Sequence, residues 1–140
     1  MKAVFTCARV AAAARGHADR TSADLALGLL REAQNIGAQL LLYNRHISRD
    51  VLERELVALL PPVTAALALP PMADWTALDE RVLSEIAAES TSLGVEYHGC
   101  EHLFLALLRN STDPTAQVLA AHGVRYADAR ADIERMTRAQ

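Results

Sequence analysis

Rings are scarce in this chain. Aromatic residues make up 4% of its 140 positions, with Trp75 the single tryptophan, whereas 51% of the residues are hydrophobic. A core built from rings is thereby excluded, and the apolar interior falls to Ala, Leu, Val and Ile, a composition that points to helices. Lysine is nearly missing too: Lys2 is the only one, and the arginines are scattered rather than gathered into a stripe. With a net charge of -3, nothing follows a phosphate backbone, and nucleic acid is not an expected partner. No apolar run approaches the ~20 residues that cross a bilayer. The N-terminus also lacks a charged region followed by an apolar stretch and a small-residue cleavage site, so the expected location is cytoplasmic, away from membranes. The two cysteines, Cys7 and Cys100, form no spaced motif and are read as reduced thiols. No G-x-x-x-x-G-K-[ST] loop occurs to cradle the phosphates of ATP.

What the chain does contain is itself, twice. The segment from Gly16 to Arg31 lies over the segment from Gly94 to Arg109 at a constant offset of 78 residues, with Leu25, Leu29, Leu30 and Arg31 matched by Leu103, Leu107, Leu108 and Arg109. A helical unit of this kind exposes an apolar face that it cannot bury alone, so the copies are expected to share one core. The predicted fold is all-α, a pseudo-two-fold bundle of two four-helix repeats forming a single domain over 1–140. Repeat one covers 1–60, a linker with a Pro pair near each end covers 61–75, and repeat two covers 76–138.

Helical spacing predicts the elements. Val4, Phe5, Ala8, Ala11 and Ala12 mark a first helix stopped by Gly16, and Thr21 or Ser22 caps a second carrying Leu25, Leu29 and Leu30. A third carries Ile36, Leu40 and Leu41 up to Asn44. Ser48 caps a fourth, with Val51, Leu52, Leu56, Leu59 and Leu60 on its apolar face. In the second copy Thr76 caps a long helix through Leu78, Val82, Leu83 and Ile86 to Gly94. Leu103, Leu107 and Leu108 mark the next. Asp113-Pro114 opens a helix that Gly123 stops, and Ala129, Ile133 and Met136 carry the last. Beyond Asn44 the offset becomes 77, pairing Ile47 with Val124 and Leu56 with Ile133.

The residues Trp75-Thr76, Leu93-Gly94, Tyr97, Gly99-Cys100-Glu101-His102-Leu103, Leu107-Leu108-Arg109, Val118-Leu119, Gly123-Val124 and Arg130 to Ile133 resemble the N-terminal repeat domain of the Clp family of AAA+ unfoldases, especially ClpC and ClpA. That family's pattern reads aromatic-Thr, a long helix, Leu-Gly-His and then Gly-Thr-Glu-His-Leu-Leu-Leu-Gly-Leu-Leu-Arg. The second copy follows it without a gap. In the first, Thr21-Ser22-Ala23-Asp24 stands where Gly-Thr-Glu-His is expected, and Phe5-Thr6 lies only ten residues before Gly16, against eighteen from Thr76 to Gly94. The resemblance implies a mobile appendage that receives substrates and docks adaptors, here as a free-standing copy without the ATPase modules.

It also implies a site. In ClpC-like domains that recognise phosphorylated arginine, the Thr of the aromatic-Thr pair and the Glu of Gly-Thr-Glu-His line the pocket, which carries over to Thr76 and Glu101. A carboxylate can take the guanidinium in paired hydrogen bonds while a hydroxyl and helix-terminal amides take the phosphate. The plainer reading makes Thr76 an N-cap and Glu101 a favourable charge at its helix start. Trp75 reads either as a staple for the long helix or as a contact for peptides and adaptors; in some relatives cyclic-peptide antibiotics dock near this aromatic. The residues His98, Cys100 and His102, with Glu101 among them, raise zinc and then set it aside, since the Glu-His pair belongs to the family motif and no catalytic shell accompanies it.

The expected protein is therefore not an enzyme and needs no cofactor or metal. It is a protein- and peptide-binding module of Clp proteolysis whose partners are a Clp unfoldase, adaptors or substrates. It serves as their receptor or competes with an unfoldase's own N domain. The alternative is a decoy that sequesters cyclic-peptide antibiotics directed at the unfoldase; a metal-dependent hydrolase ranks third.

Overall fold

The computed structural model describes residues 2–16, 21–31, 46–61 and 77–138, and among these residues all regular structure is helical. In chain order the helices are α1 (Lys2–Ala14), α2 (Ser22–Arg31), α3 (Arg49–Val57), α4 (Ala77–Ser92), α5 (Cys100–Arg109), α6 (Pro114–Ala121) and α7 (Tyr126–Arg138). None is long and apolar enough to cross a membrane. The expected helix carrying Ile36, Leu40 and Leu41, the linker from Pro62 onward, and Trp75 and Thr76 lie outside the described residues.

Local chemistry sets most of the boundaries. Gly16 ends α1 at φ 84°, Gly94 follows α4 at φ 75° and Gly123 follows α6 at φ 83°, all in the left-handed region where a side chain is disfavoured. Ser48 caps α3 by accepting from the Val51 amide. Asp113 caps α6 by accepting from the Thr115 amide at 2.8 Å, with Pro114 at the first helical position. One expectation needs correction: Val51 is 36% exposed, so the apolar face of α3 narrows to Leu52 and Leu56, both fully buried. The helix stops at Val57, and Leu59 and Leu60 pack on the core from the turn beyond it.

At the centre stand α2 and α5. Every residue from Ala23 to Leu30 and every residue from His102 to Leu108 is buried, the mark of helices surrounded on all sides. They pack on each other, with α1 laid along α2, α4 along α5, α3 bridging α2 and α6, and α7 closing on α5. The buried apolar residues form one cluster, running from Val4, Leu25 and Leu52 in the first half to Ile86, Phe104, Leu119 and Ile133 in the second. Between the halves Ser22 Oγ donates to Asp113 at 2.7 Å and lies 2.8 Å from the Thr115 hydroxyl.

The two central helices differ at one equivalent position. A Cβ on Gly28 would come within 2.9 Å of the Val4 carbonyl oxygen, so α1 crosses α2 where no side chain intervenes. Ala106 fills the matching place in α5. Gly28→Ala gains helix propensity but pushes backbone against backbone, and overpacking of this kind costs ~1–3 kcal/mol. The net expectation is a lower midpoint in urea unfolding; an unchanged or higher midpoint contradicts the close crossing. A single cluster also leads us to expect that either half alone, cut near Ala66, loses the sharp thermal transition of the whole chain.

Candidate functional site

The start of α5 is built around a buried histidine. Gly99, at φ -101° and ψ 172°, is the N-cap, and its amide donates to His102 Nδ1 at 2.9 Å. Accepting through Nδ1 makes His102 a neutral ring with its proton on Nε2, and that nitrogen is buried without a hydrogen-bond partner among the described residues. Burial is the main force lowering the His102 pKa, and nearby His98 adds to it; Glu101 and Glu89 pull the other way. The first half meets the same need with different chemistry. There Asp24 Oδ2 accepts from the Thr21 amide at 2.8 Å, Thr21 Oγ1 accepts from the Asp24 amide at 3.3 Å, and Arg15 pairs with the Asp24 carboxylate.

Glu101 lies one residue into this helix and turns back over its cap. A Cβ on Gly99 would sit 2.5 Å from both Glu101 carboxylate oxygens, so the missing side chain at Gly99 provides the space that the carboxylate occupies. The Glu101 side chain keeps 18% of its surface in solvent, with Oε1 4.0 Å from His102 Nδ1. Tyr97, 47% exposed, stacks at a tilt on the His102 ring with centroids 5.4 Å apart. Its hydroxyl pKa is raised by burial and then by the Glu101 charge and hydrogen bond. The arrangement is an accessible carboxylate beside a phenol at the positive end of a helix, suited to a guanidinium and to an anion attached to it.

Of the three site residues expected from sequence, Glu101 is placed here, while Trp75 and Thr76 lie outside the described residues. The first half offers no second copy. Ala23, the counterpart of Glu101, is buried, and Ser22, the counterpart of Cys100, is tied to Asp113 and Thr115. Among the described residues no three His, Cys, Asp or Glu side chains converge as metal ligands. His102 is fully buried and its Nδ1 accepts from the Gly99 amide, whereas His98 is exposed.

Sequence reasoning missed a buried carboxylate. Glu89 on α4 is 2% exposed and accepts from the Tyr126 hydroxyl at 2.7 and 2.9 Å and from Arg130 Nη1 at 3.2 Å, with Arg109 Nη1 at 3.8 Å. Arg130 also donates to Ser92 Oγ at 2.7 Å. The signal was present: Glu89 continues the helical stripe of Val82 and Ile86, so a charge stood on an apolar face.

Stability should follow the His102 proton. Because its folded pKa lies below the ordinary 6.5, the neutral ring favours the fold above pH 6.5. That contribution is lost as the pH falls from 6.5 through the folded value, with a slope of at most ~1.4 kcal/mol per pH unit. Thermal midpoints measured from pH 7.5 down to 5.5 should drop for the wild type and drop less for His102→Gln; parallel profiles contradict the assignment.

Against known proteins, the family model described as the Clp repeat (R) N-terminal domain matches residues 1–122. A solved structure described as "Preliminary structural investigations of a malarial protein secretion system" superposes with a TM-score of 0.78 at 14% identity, covering 96% of this chain and 88% of that one, a likeness of fold. A search of curated proteins found no match. The match over most of the sequence, together with the helical fold and the Gly-Cys-Glu-His start of α5, establishes that this chain belongs to the Clp N-terminal repeat domain family.

Proposed function

We propose that the protein is a non-enzymatic receptor module of the Clp system that recognises phosphorylated arginine on substrates or adaptors at the start of α5. The observation that carries this reading is the Glu101 carboxylate, folded over Gly99 and left partly in solvent beside Tyr97. It supplies the guanidinium partner. The first-turn amides of α5 and the Thr76 hydroxyl, assigned by resemblance, supply the phosphate partners. A module of this kind either delivers bound proteins to an unfoldase or competes with the unfoldase's own N domain for them. The decoy reading rests on Trp75 alone, so the Glu101 reading is preferred.

Calorimetric titration with phosphoarginine tests it. Glu101→Ala should cost ~1.5–3 kcal/mol of binding, the range for hydrogen bonds to a charged group, and Trp75→Ala should cost less. Gly99→Ala, whose extended backbone suits any residue, should also weaken binding because its methyl displaces the carboxylate. A reversed ranking with a cyclic peptide as ligand favours the decoy. No binding of phosphoarginine by the unmutated protein overturns the pocket. The purified protein is also expected to hydrolyse neither ATP nor metal-dependent substrates, and stoichiometric zinc lost on His98→Ala contradicts that.

A further inference from the structure

The opposite end of α5 borders a groove that the Glu101 site does not use. It is an open cleft of about 650 Å³ between the end of α5, α6 and the start of α7, within the roughly 300–1,000 Å³ typical of ligand sites. Ala116, Ala120 and Val124 give it an apolar floor, and Arg109, Arg125 and Tyr126 also line it. No acidic residue lines it. Arg125 is exposed, and its guanidinium makes no ion pair among the described residues. Arg109 reaches Glu89 through Nη1 at 3.8 Å and stays half exposed. Buried Glu89 meanwhile fixes the Tyr126 hydroxyl with two contacts, so the wall is preformed.

We propose that this groove docks an acidic segment of a partner protein, with an apolar side chain on the alanine floor and carboxylates on Arg109 and Arg125. Charge complementarity selects the occupant: no carboxylate lines the cleft, Arg125 has no ion pair among the described residues, and Arg109 keeps half of its side chain in solvent beside buried Glu89, on a chain whose net charge is -3, so the groove is a local reversal of sign. The apolar floor and the absence of further basic residues argue for a peptide over a nucleic acid, whose phosphates need a longer basic track. The groove lies at the far end of α5 from Glu101, roughly 12 Å away by helix rise. Its occupant is therefore independent of phosphoarginine binding.

The test is an NMR titration of the ¹⁵N-labelled protein with a capped peptide of alternating glutamate and leucine, with the same peptide carrying lysine for glutamate, and with inorganic phosphate. The acidic peptide should shift the amides of Ala116, Ala120, Val124 and Arg125 and bind more weakly as salt is raised. Arg125→Glu, at an exposed position, should weaken it roughly tenfold or more. Ala120→Phe, which fills the floor without changing charge, should weaken it as well, and Glu101→Ala should leave it unchanged while weakening phosphoarginine binding. Equal binding of the lysine peptide, shifts confined to other surfaces, or unaltered affinity in Arg125→Glu overturns the proposal. Identical shifts with phosphate alone also overturn it, in favour of a small-anion site. Should Ala120→Phe fail to fold, Arg125→Glu and the lysine peptide still decide the matter.

Discussion

The described helices are arranged around α2 and α5, which lie against each other with almost no surface left for water. Eight consecutive residues of α2 and seven of α5 are buried. Leucines and alanines on every face make such packing favourable. The starts of both helices, only partly buried, still hold amides that have no partner within the helix. Polar residues at those starts are thus a condition of the fold. One half satisfies it with a charged pair, Arg15 on Asp24, and a reciprocal cap with Thr21; the other uses a neutral ring, His102, on the Gly99 amide.

That difference shapes the surface available for binding. A carboxylate at position 24 consumes its own charge inside the protein, and Ala23 beside it adds nothing outside. A neutral imidazole at position 102 leaves the neighbouring Glu101 uncommitted to any arginine, and Gly99 gives it room to turn back toward the helix end. Glu89 shows the opposite use of the same side chain. Enclosed by Tyr126, Arg130 and Arg109, it joins α4 to α5 and α7 and is withdrawn from ligands. Exposure and partners, more than residue type, separate the carboxylate left partly in solvent from the one that holds the structure.

Much of this was legible beforehand. Helix stops at Gly16, Gly94 and Gly123 and caps at Ser48 and Asp113 were readable because each depends on a local conformational or hydrogen-bonding preference. The family followed from the spacing in the second copy. Val51 was misplaced because an apolar residue at a helix start resembles core until the partner helix is located. The left-handed residue before α3 is His46, at φ 54°, a conformation for which histidine gives little warning. Glu89 stands 20 or more residues from Arg109, Tyr126 and Arg130, and the two arginines of the groove are 16 apart, contacts that no local pattern announces. Glu101 was found through resemblance; its reversal over Gly99 needed coordinates.

A crystal structure of the protein grown with phosphoarginine tests the central claim most directly, because it asks where the Glu101 carboxylate goes when a guanidinium is offered. The account predicts paired hydrogen bonds between the guanidinium and Glu101, with the phosphate at the first-turn amides of α5 and His102 still accepting from Gly99. Phosphoarginine bound elsewhere, or a Glu101 carboxylate with no contact to a fully occupied ligand, contradicts it.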